Sequence, residues 1–232
     1  MISFSIVIPC HPPYFKFLEN LINNINSFDI SEGYEIKEVI LSASGISDIS
    51  DPPAEIKNLT SISKYPIIYD LTTDKCNAAK NRNRGWKKVS GEWIIFLDSD
   101  DYYYLDKLLI TYNVITQNPD IDCILHSYHF RRRVNTHERC GAFNTSKADY
   151  LYNATFPDGL FENVDKNKVN VEAPWPIAHG IISCRASSTI RFEEHRDTGE
   201  DGNFCRQHTF IKKLVAIDAV LMDYRPQGGA PW

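Results

Sequence analysis

Trp93-Ile94-Ile95-Phe96-Leu97 is five apolar side chains without a break, and it runs directly into Asp98-Ser99-Asp100-Asp101. A run of β-branched, aromatic and leucine residues with no polar alternation predicts a strand buried on both faces, the condition of strands in parallel sheets covered by helices. A chain built round such a strand is of the α/β class. In open α/β sheets ligands lie in the crevice beyond the carboxyl ends of the strands, so these acidic residues stand at the expected ligand edge. Three carboxylates within four residues repel one another unless a cation sits among them. Hard ions such as Mg²⁺ and Mn²⁺ take oxygen ligands, and Mg²⁺ uses one or two carboxylates and fills its shell with water and phosphates. The pattern therefore points to a metal-bridged diphosphate site, with Asp98, Asp100 and Asp101 as the ligand candidates. The competing reading is a solvated turn, because Asp side chains hydrogen-bond nearby backbone.

The rest of the chain supplies a sheet for this strand to join. Phe4 to Pro9 reads as a first buried strand, stopped by Pro9 and the Pro12-Pro13 pair, which starts a helix over Tyr14 to Phe28 with an apolar stripe of Leu18, Leu21, Ile22 and Ile25. Glu38 to Leu41 is a second strand, closed by Ser42-Ala43-Ser44-Gly45, and strand, helix, strand at this spacing means a parallel unit. Asp48 to Ile62 is an irregular or short helical connection, and Pro66 to Tyr69 a third strand. Asp74 or Asn77 caps the next helix, which runs through Ala78, Ala79 and Trp86 to Ser90-Gly91. Lys80, Arg82 and Arg84 cannot share one face of it. One or two of them can reach back over the acidic strand end, where a cation would meet a diphosphate.

After the carboxylates, Leu105, Leu108, Leu109, Tyr112 and Ile115 mark a helix ended by Asn118-Pro119, and Ile121 to Phe130 a further strand. Periodicity fails from Arg139 to Val171, and a loop of that length in a compact domain is usually functional. Ala178 to Cys184 returns to strand, Gly199-Glu200-Asp201-Gly202 opens a helix over Asn203 to Phe210, and Leu214 to Met222 is the last strand. The expected organisation is a single domain over 1–232, with a tidy βα half at 1–120 and a more irregular half at 121–232.

A formal net charge of -5 excludes the broad basic footprint of a nucleic-acid binder. No segment approaches the roughly 18 to 20 apolar residues of a membrane span, and the first residues lack a basic-then-apolar leader, so the expectation is a cytoplasmic protein with no transmembrane segment. The six cysteines show no paired spacing of zinc or redox motifs, and reduced, mostly buried thiols are expected.

Phe4-Ser5-Ile6-Val7-Ile8-Pro9 at the start, Arg82-Asn83-Arg84-Gly85, the stretch Gly91 to Asp101, Gly199-Glu200-Asp201 about a hundred residues on, and Tyr224-Arg225 near the end come in an order that resembles a GT-A glycosyltransferase of family 2. The resemblance implies a GT-A, Rossmann-like fold. It also implies a nucleotide-diphospho-sugar donor, a divalent metal (Mn²⁺ or Mg²⁺) and inverting transfer to a hydroxyl of a glycan or glycoconjugate acceptor. It makes Asp98-Ser99-Asp100 the Asp-any-Asp motif, the last carboxylate on the metal and the first near the ribose. Asp201, beside Glu200, takes the place of the catalytic base, which must lie within reach of the acceptor hydroxyl proton. The plain alternative is that both acids begin a helix, where capping and the dipole favour them.

Pro9 and His11 border the nucleotide on this reading, with Ser42, Ser44, Arg82 and Ser99. Trp175 and His179 are acceptor-side candidates, since an indole can stack on a sugar face. His179, His195 and His208 are each better explained as structural or surface histidines than as metal ligands. The chain departs from the family twice. A neutral Ser42-Ala43-Ser44-Gly45 loop replaces the usual acidic contact to the base, and Gln227 stands where a histidine is common. A UDP-sugar is the working expectation for the donor. The rivals are a binding module without catalysis, kept alive by those departures, and a sugar nucleotidyltransferase, disfavoured because Cys10-His11-Pro12-Pro13 is no glycine-rich phosphate loop.

Overall fold

The first strand, β1 (Ile2–Cys10), is buried along nearly its whole length and collects neighbours on both sides. A computed structural model describes residues 1–133, 136–140, 180, 182–196, 198–210 and 213–225. After β1 the proline pair opens two turns of 3₁₀ helix (Pro12–Phe17) that lead into α1 (Leu18–Asn26), whose buried face is Leu18, Leu21, Ile22 and Ile25. The single helix read from periodicity is thus split, because the two prolines fix the entry and cannot supply α-helical donors. The chain continues through β2 (Tyr34–Ala43), the four-residue helices α2 (Ala54–Lys57) and α3 (Leu59–Ile62), β3 (Ile67–Leu71), α4 (Ala78–Trp86) and β4 (Trp93–Phe96). Then come β5 (Tyr102–Tyr103), α5 (Lys107–Gln117), β6 (Cys123–Arg133), β7 (Thr136–Cys140), β8 (Ile182–Arg185), α6 (Glu200–Phe210) and β9 (Leu214–Tyr224).

The nine strands form one sheet in the order β3-β2-β1-β4-β8-β6-β9-β5, with β7 paired to β6. β3, β2, β1 and β4 are all parallel, as is the pair β6 and β9. β8 runs antiparallel between β4 and β6, and β5 antiparallel on β9. The α/β class and the largely parallel sheet flanked by helices are as the sequence implied. Two-residue β5 was not legible, since Tyr102-Tyr103 is too short to show a period.

What matters for the site is that β1 has β2 on one side and β4 on the other. The strand order reverses there, and at such a switch point the carboxyl ends of the two central strands diverge and leave a crevice. Cys10-His11 ends one strand and Leu97-Asp98 the other, tied by the Leu97 N–H donating to the Val7 carbonyl at 3.0 Å.

α4 covers this region closely because Gly85 carries no side chain. A Cβ on Gly85 would lie 2.5 Å from Val7 Cγ1 and 3.3 Å from Ser42 Cβ. Two effects oppose each other in Gly85→Ala: helix propensity gains about 1 kcal/mol, while overpacking against β1 costs about 1–3 kcal/mol. The β-branched Val7 side chain is stiff on a buried strand and cannot swing away, so the net expectation is a loss of up to about 2 kcal/mol, read as a lower urea midpoint.

A second packing unit fixes α6. Phe192 and Phe204 stack at 4.2 Å, Phe96 meets Phe192 edge-on at 5.2 Å, and Trp86 meets Phe204 at 6.1 Å. Each such pair contributes about 0.5–1.5 kcal/mol beyond burial. Together they lock α4, β4 and α6 against one another, which sets where the acidic start of α6 falls.

Candidate active site

A cavity of about 810 Å³ opens at the switch point. Pro9, His11, Ser44, Arg82, Asp98, Ser99 and Asp100 line it, with Cys10, Tyr14, Lys75, Cys76, Asn81 and Tyr224. Seven of the eight nucleotide-binding candidates therefore meet on one wall. Ser42 does not: it is fully buried and donates to Asp70 Oδ2 at 3.1 Å, and Asp70 in turn pairs with Arg84 at 3.0 Å. Arg84 is thereby excluded from the acidic strand end, because it lies on the β3 side of α4.

Of the three cations on α4, it is Arg82 that turns to the carboxylates. Its side chain is 1% exposed, with one nitrogen 3.0 Å from Asp98 Oδ1 and another 3.1 Å from Glu200 Oε1. Its guanidinium also lies 5.4 Å from the Phe192 ring centroid. A planar fork suits this bridging of two carboxylates, which a single ammonium point charge could not match. Residues separated by more than a hundred positions are so joined through one side chain.

Asparagine is a poor residue for a helix interior, since its amide competes for backbone partners. Asn81 and Asn83 are nevertheless buried in α4. Asn81 Nδ2 donates to the Cys10 carbonyl at 3.2 Å and to Ser44 Oγ at 2.9 Å, tying the ends of β1 and β2 together under the cavity. Asn83 Nδ2 donates to the Phe192 carbonyl at 2.8 Å and holds the segment that leads to α6. Sequence reasoning passed over both; two asparagines flanking Arg82 inside a helix were the available signal. Asn77 caps the helix, its Oδ1 accepting the Lys80 N–H at 2.9 Å.

The carboxylates divide by environment. Asp98 and Asp100 are half-buried on the cavity wall. Asp101, the third ligand candidate, is completely buried, and its Oδ1 accepts the Arg225 N–H at 2.8 Å. Burial, then the charges of Asp100 and Asp98, push its carboxyl well above the usual range. It serves the fold behind the strand end and does not reach the cavity. Among the described residues no group of three His, Cys, Asp or Glu side chains forms a metal cage. Two wall carboxylates facing a cavity do fit an ion of the Mg²⁺ kind, which takes one or two carboxylates and completes its shell from phosphate and water.

Glu200 and Asp201 open α6 and are almost fully buried, one arginine away from the cavity wall. Asp201 Oδ1 accepts the Gly202 N–H at 2.8 Å. Tyr224 lies on the cavity, and burial with the charges of Asp101, Asp98, Asp100 and Asp201 raises its phenol to about 12. The same hydroxyl thus feels both acidic motifs. The Tyr14 phenol, its ring tilted against His11 at 4.7 Å between centroids, is raised by burial and then by Asp100 and Asp98. Cys10 is pushed up to about 12 by burial and stays a thiol. His195 is exposed beside Glu193, and His208 is buried on Ser188 Oγ at 3.1 Å, so neither reaches the wall. Trp175, His179 and Gln227 lie outside the described residues, as does most of the aperiodic stretch from Arg139 to Val171.

With this geometry in hand, comparison with known proteins decides the family. The sequence model described as Glycosyl transferase family 2 matches residues 5–175. The chain belongs to glycosyl transferase family 2. Among curated members, the amylovoran biosynthesis glycosyltransferase AmsB of Erwinia amylovora is 32% identical over 110 residues, 46% of this chain and 34% of AmsB. Glycosyltransferase GlyA of Streptococcus pneumoniae is 23% identical over 216 residues, 92% of this chain and 30% of GlyA. The chain therefore spans about a third of the length of these relatives. Among solved structures, residues 1–349 of S. aureus TarS in complex with UDP-GlcNAc superpose with a TM-score of 0.62 at 15% identity, covering 100% of this chain and 62% of that one. Mannosyltransferase PcManGT from Pyrobaculum calidifontis, in complex with GDP-Man and Mn²⁺, gives 0.62 at 13% identity over 95% and 56%. At these identities the family 2 likeness in structure is one of fold, and it agrees with the GT-A architecture. No helix among the described residues is long and apolar enough to cross a membrane.

Proposed function

We propose that the chain transfers a glycosyl group from a nucleotide-diphospho-sugar to a hydroxyl of a glycan or glycoconjugate, with inversion and with a divalent metal, Mn²⁺ or Mg²⁺. The observation that carries this is the Arg82 bridge, which joins Asp98 on the wall of a switch-point cavity to the acidic start of α6. Family membership supports glycosyl transfer, and a nucleotide diphosphate fits a crevice at the carboxyl ends of β1 and β4. The donor nucleotide occupies the 1–120 half on this reading, and the acceptor the 121–232 half. Cys10, Cys76, Cys123, Cys184 and Cys205 are free thiols, which suits the reducing cytoplasm.

Asp100, with Asp98, would hold the metal. When bound, the metal supplies positive charge to the oxygens of the departing diphosphate. Asp98 is oriented by Arg82, which draws Oδ1 toward α4 and leaves the second oxygen for the nucleotide side. Glu200, the other arm of the same guanidinium, fixes the first turn of α6. Asp201, beside it at the start of α6, takes the proton from the acceptor hydroxyl on this reading, as that hydroxyl attacks opposite the leaving group. Cys10, Ser44 and Asn81 shape the floor. Ser44 Oγ donates to the Cys76 carbonyl at 3.4 Å and accepts from Asn81, so its hydroxyl supports the floor and base reading falls to neighbouring main chain.

The test is release of nucleoside diphosphate from a panel of nucleotide sugars with and without Mn²⁺. Slow metal-dependent hydrolysis of at least one donor is expected; no release from any donor favours a binding module. Asp100→Ala should weaken UDP binding in Mn²⁺ by at least tenfold while leaving metal-free binding unchanged. Calorimetry showing equal affinity in Mn²⁺ would remove Asp100 from the metal.

A further inference from the structure

Lysine is almost never fully buried unless paired, yet Lys107 at the first position of α5 is completely buried. No described carboxylate bonds it. Its ammonium donates to the carbonyl of Gly180 at 2.8 Å and meets Nε2 of His126, which lies 3.1 Å from the same carbonyl. It also stands 5.4 Å over the ring of Tyr103. Desolvation pulls the amine down to about 7, against the opposing field of Asp101. An apolar side chain of the same length would fill this space without that cost, and replacing buried ions by hydrophobic groups is often neutral or stabilising. The charge is therefore poorly explained as a contribution to stability.

Tyr103 connects this cluster to the cavity. Its hydroxyl accepts the N–H of Asp98 at 2.7 Å and donates to the Asp98 carbonyl at 3.3 Å. Its main chain is held from the other side by Asn24, whose amide donates to the Tyr103 carbonyl at 2.8 Å and accepts the Tyr103 N–H at 2.9 Å. Gly180 lies so close to the ring that a Cβ there would come within 2.5 Å of the Tyr103 hydroxyl. Asn24 thus fixes the main chain of Tyr103 while Gly180 lies against its ring, and Lys107 and His126 both meet the Gly180 carbonyl.

We propose that Lys107 is a positioning residue for glycosyl transfer, acting through Gly180 and Tyr103 to fix the main chain of Asp98 behind the cavity wall. This rests on the reading that a donor diphosphate meets Asp98 and Asp100. A displacement of about 1 Å in such a site costs on the order of a hundredfold in rate. Asp98 passes any shift on through Arg82 to Glu200, so the effect falls on turnover more than on holding the nucleotide.

The experiment is a double-mutant cycle in the full chain with Lys107→Met, Tyr103→Phe and both together. The readouts are kcat and KM for the best donor of the panel, UDP affinity in Mn²⁺ by calorimetry, and the urea midpoint. Each single substitution should lower kcat at least fivefold with UDP affinity within threefold. The double variant should be no slower than the slower single, since both act on one hydroxyl contact. A kcat loss under fivefold in either single, or losses that multiply in the double, overturns the proposal. Should Lys107→Met fail to fold, Lys107→Leu, which also lacks an N–H for the Gly180 carbonyl, replaces it in the cycle. Tyr103→Phe at wild-type kcat is still decisive against it. A wild-type chain inert on every donor brings down the functional reading and this one with it, whereas an active wild type with an indifferent Lys107 variant removes Lys107 alone.

Discussion

Asp201→Asn should lower turnover by about 10²- to 10⁴-fold, the span a positioned general base contributes, while UDP affinity in Mn²⁺ stays within threefold. The substitution changes no volume, and the amide oxygen can still accept the Gly202 N–H that Oδ1 now accepts. The bridge from Asp98 through Arg82 to Glu200 does not include Asp201, so the donor wall keeps its geometry. A loss confined to kcat would therefore report the missing proton acceptor and not a collapsed helix. Glu200→Gln is the control that separates the two acids. It keeps length and burial but replaces a charged partner of Arg82 with a neutral one, so it should lower the urea midpoint as well as the rate. Turnover by Asp201→Asn within tenfold of wild type would remove Asp201 as the base, and Glu200 would then be next in line.

The contrast between these two acids shows how far sequence could go. Trp93 to Asp101 announced its buried strand and acidic tip because five apolar residues ending in carboxylates have few other uses, and the strand lies where it was expected. The spacing from that tip to Glu200-Asp201 identified the second acidic motif, but nothing in it could say which acid pairs with a cation. That assignment belongs to α4, where Lys80, Arg82 and Arg84 differ only in rotation about the helix axis. Burial against Gly85 and the Asn81 and Asn83 anchors set that rotation, and they bring Arg82 inward and Arg84 to Asp70.

Asp101 misled for a related reason. It sits one residue beyond Asp100, but the turn at the strand end points neighbouring side chains to opposite sides, one to the cavity and one to the Arg225 amide. Ser42 failed similarly: it lies inside β2, one residue before the strand's last residue Ala43, and bonds Asp70, whereas Ser44 lies past the strand end and lines the cavity. β5 and the Lys107 cluster were invisible because they depend on contacts between segments far apart in the chain.

The second large effect is expected from Arg82→Met. Removing Arg82 takes from Glu200 and Asp98 the counter-charge it gives both, and breaking a buried ion pair in this way costs about 3–5 kcal/mol. Methionine keeps most of the stem volume, although the guanidinium's contact with the Phe192 ring goes with the charge. Transfer should fall below detection, since the arginine orients Asp98 on one side and α6 on the other. Arg82→Lys retains the charge, but its three donors sit on one nitrogen and cannot span both carboxylates as the two arms of the guanidinium do. It should recover part of the stability and little of the activity. Arg82→Met combined with Glu200→Gln removes one of the stranded charges and should regain stability over Arg82→Met alone. It should still not turn over, because Asp98 has lost its anchor. Urea denaturation of the four proteins measures the first set of outcomes and donor hydrolysis the second. Equal midpoints for wild type and Arg82→Met would mean that the bridge is not formed in solution, and the link between the two acidic motifs would fall with it.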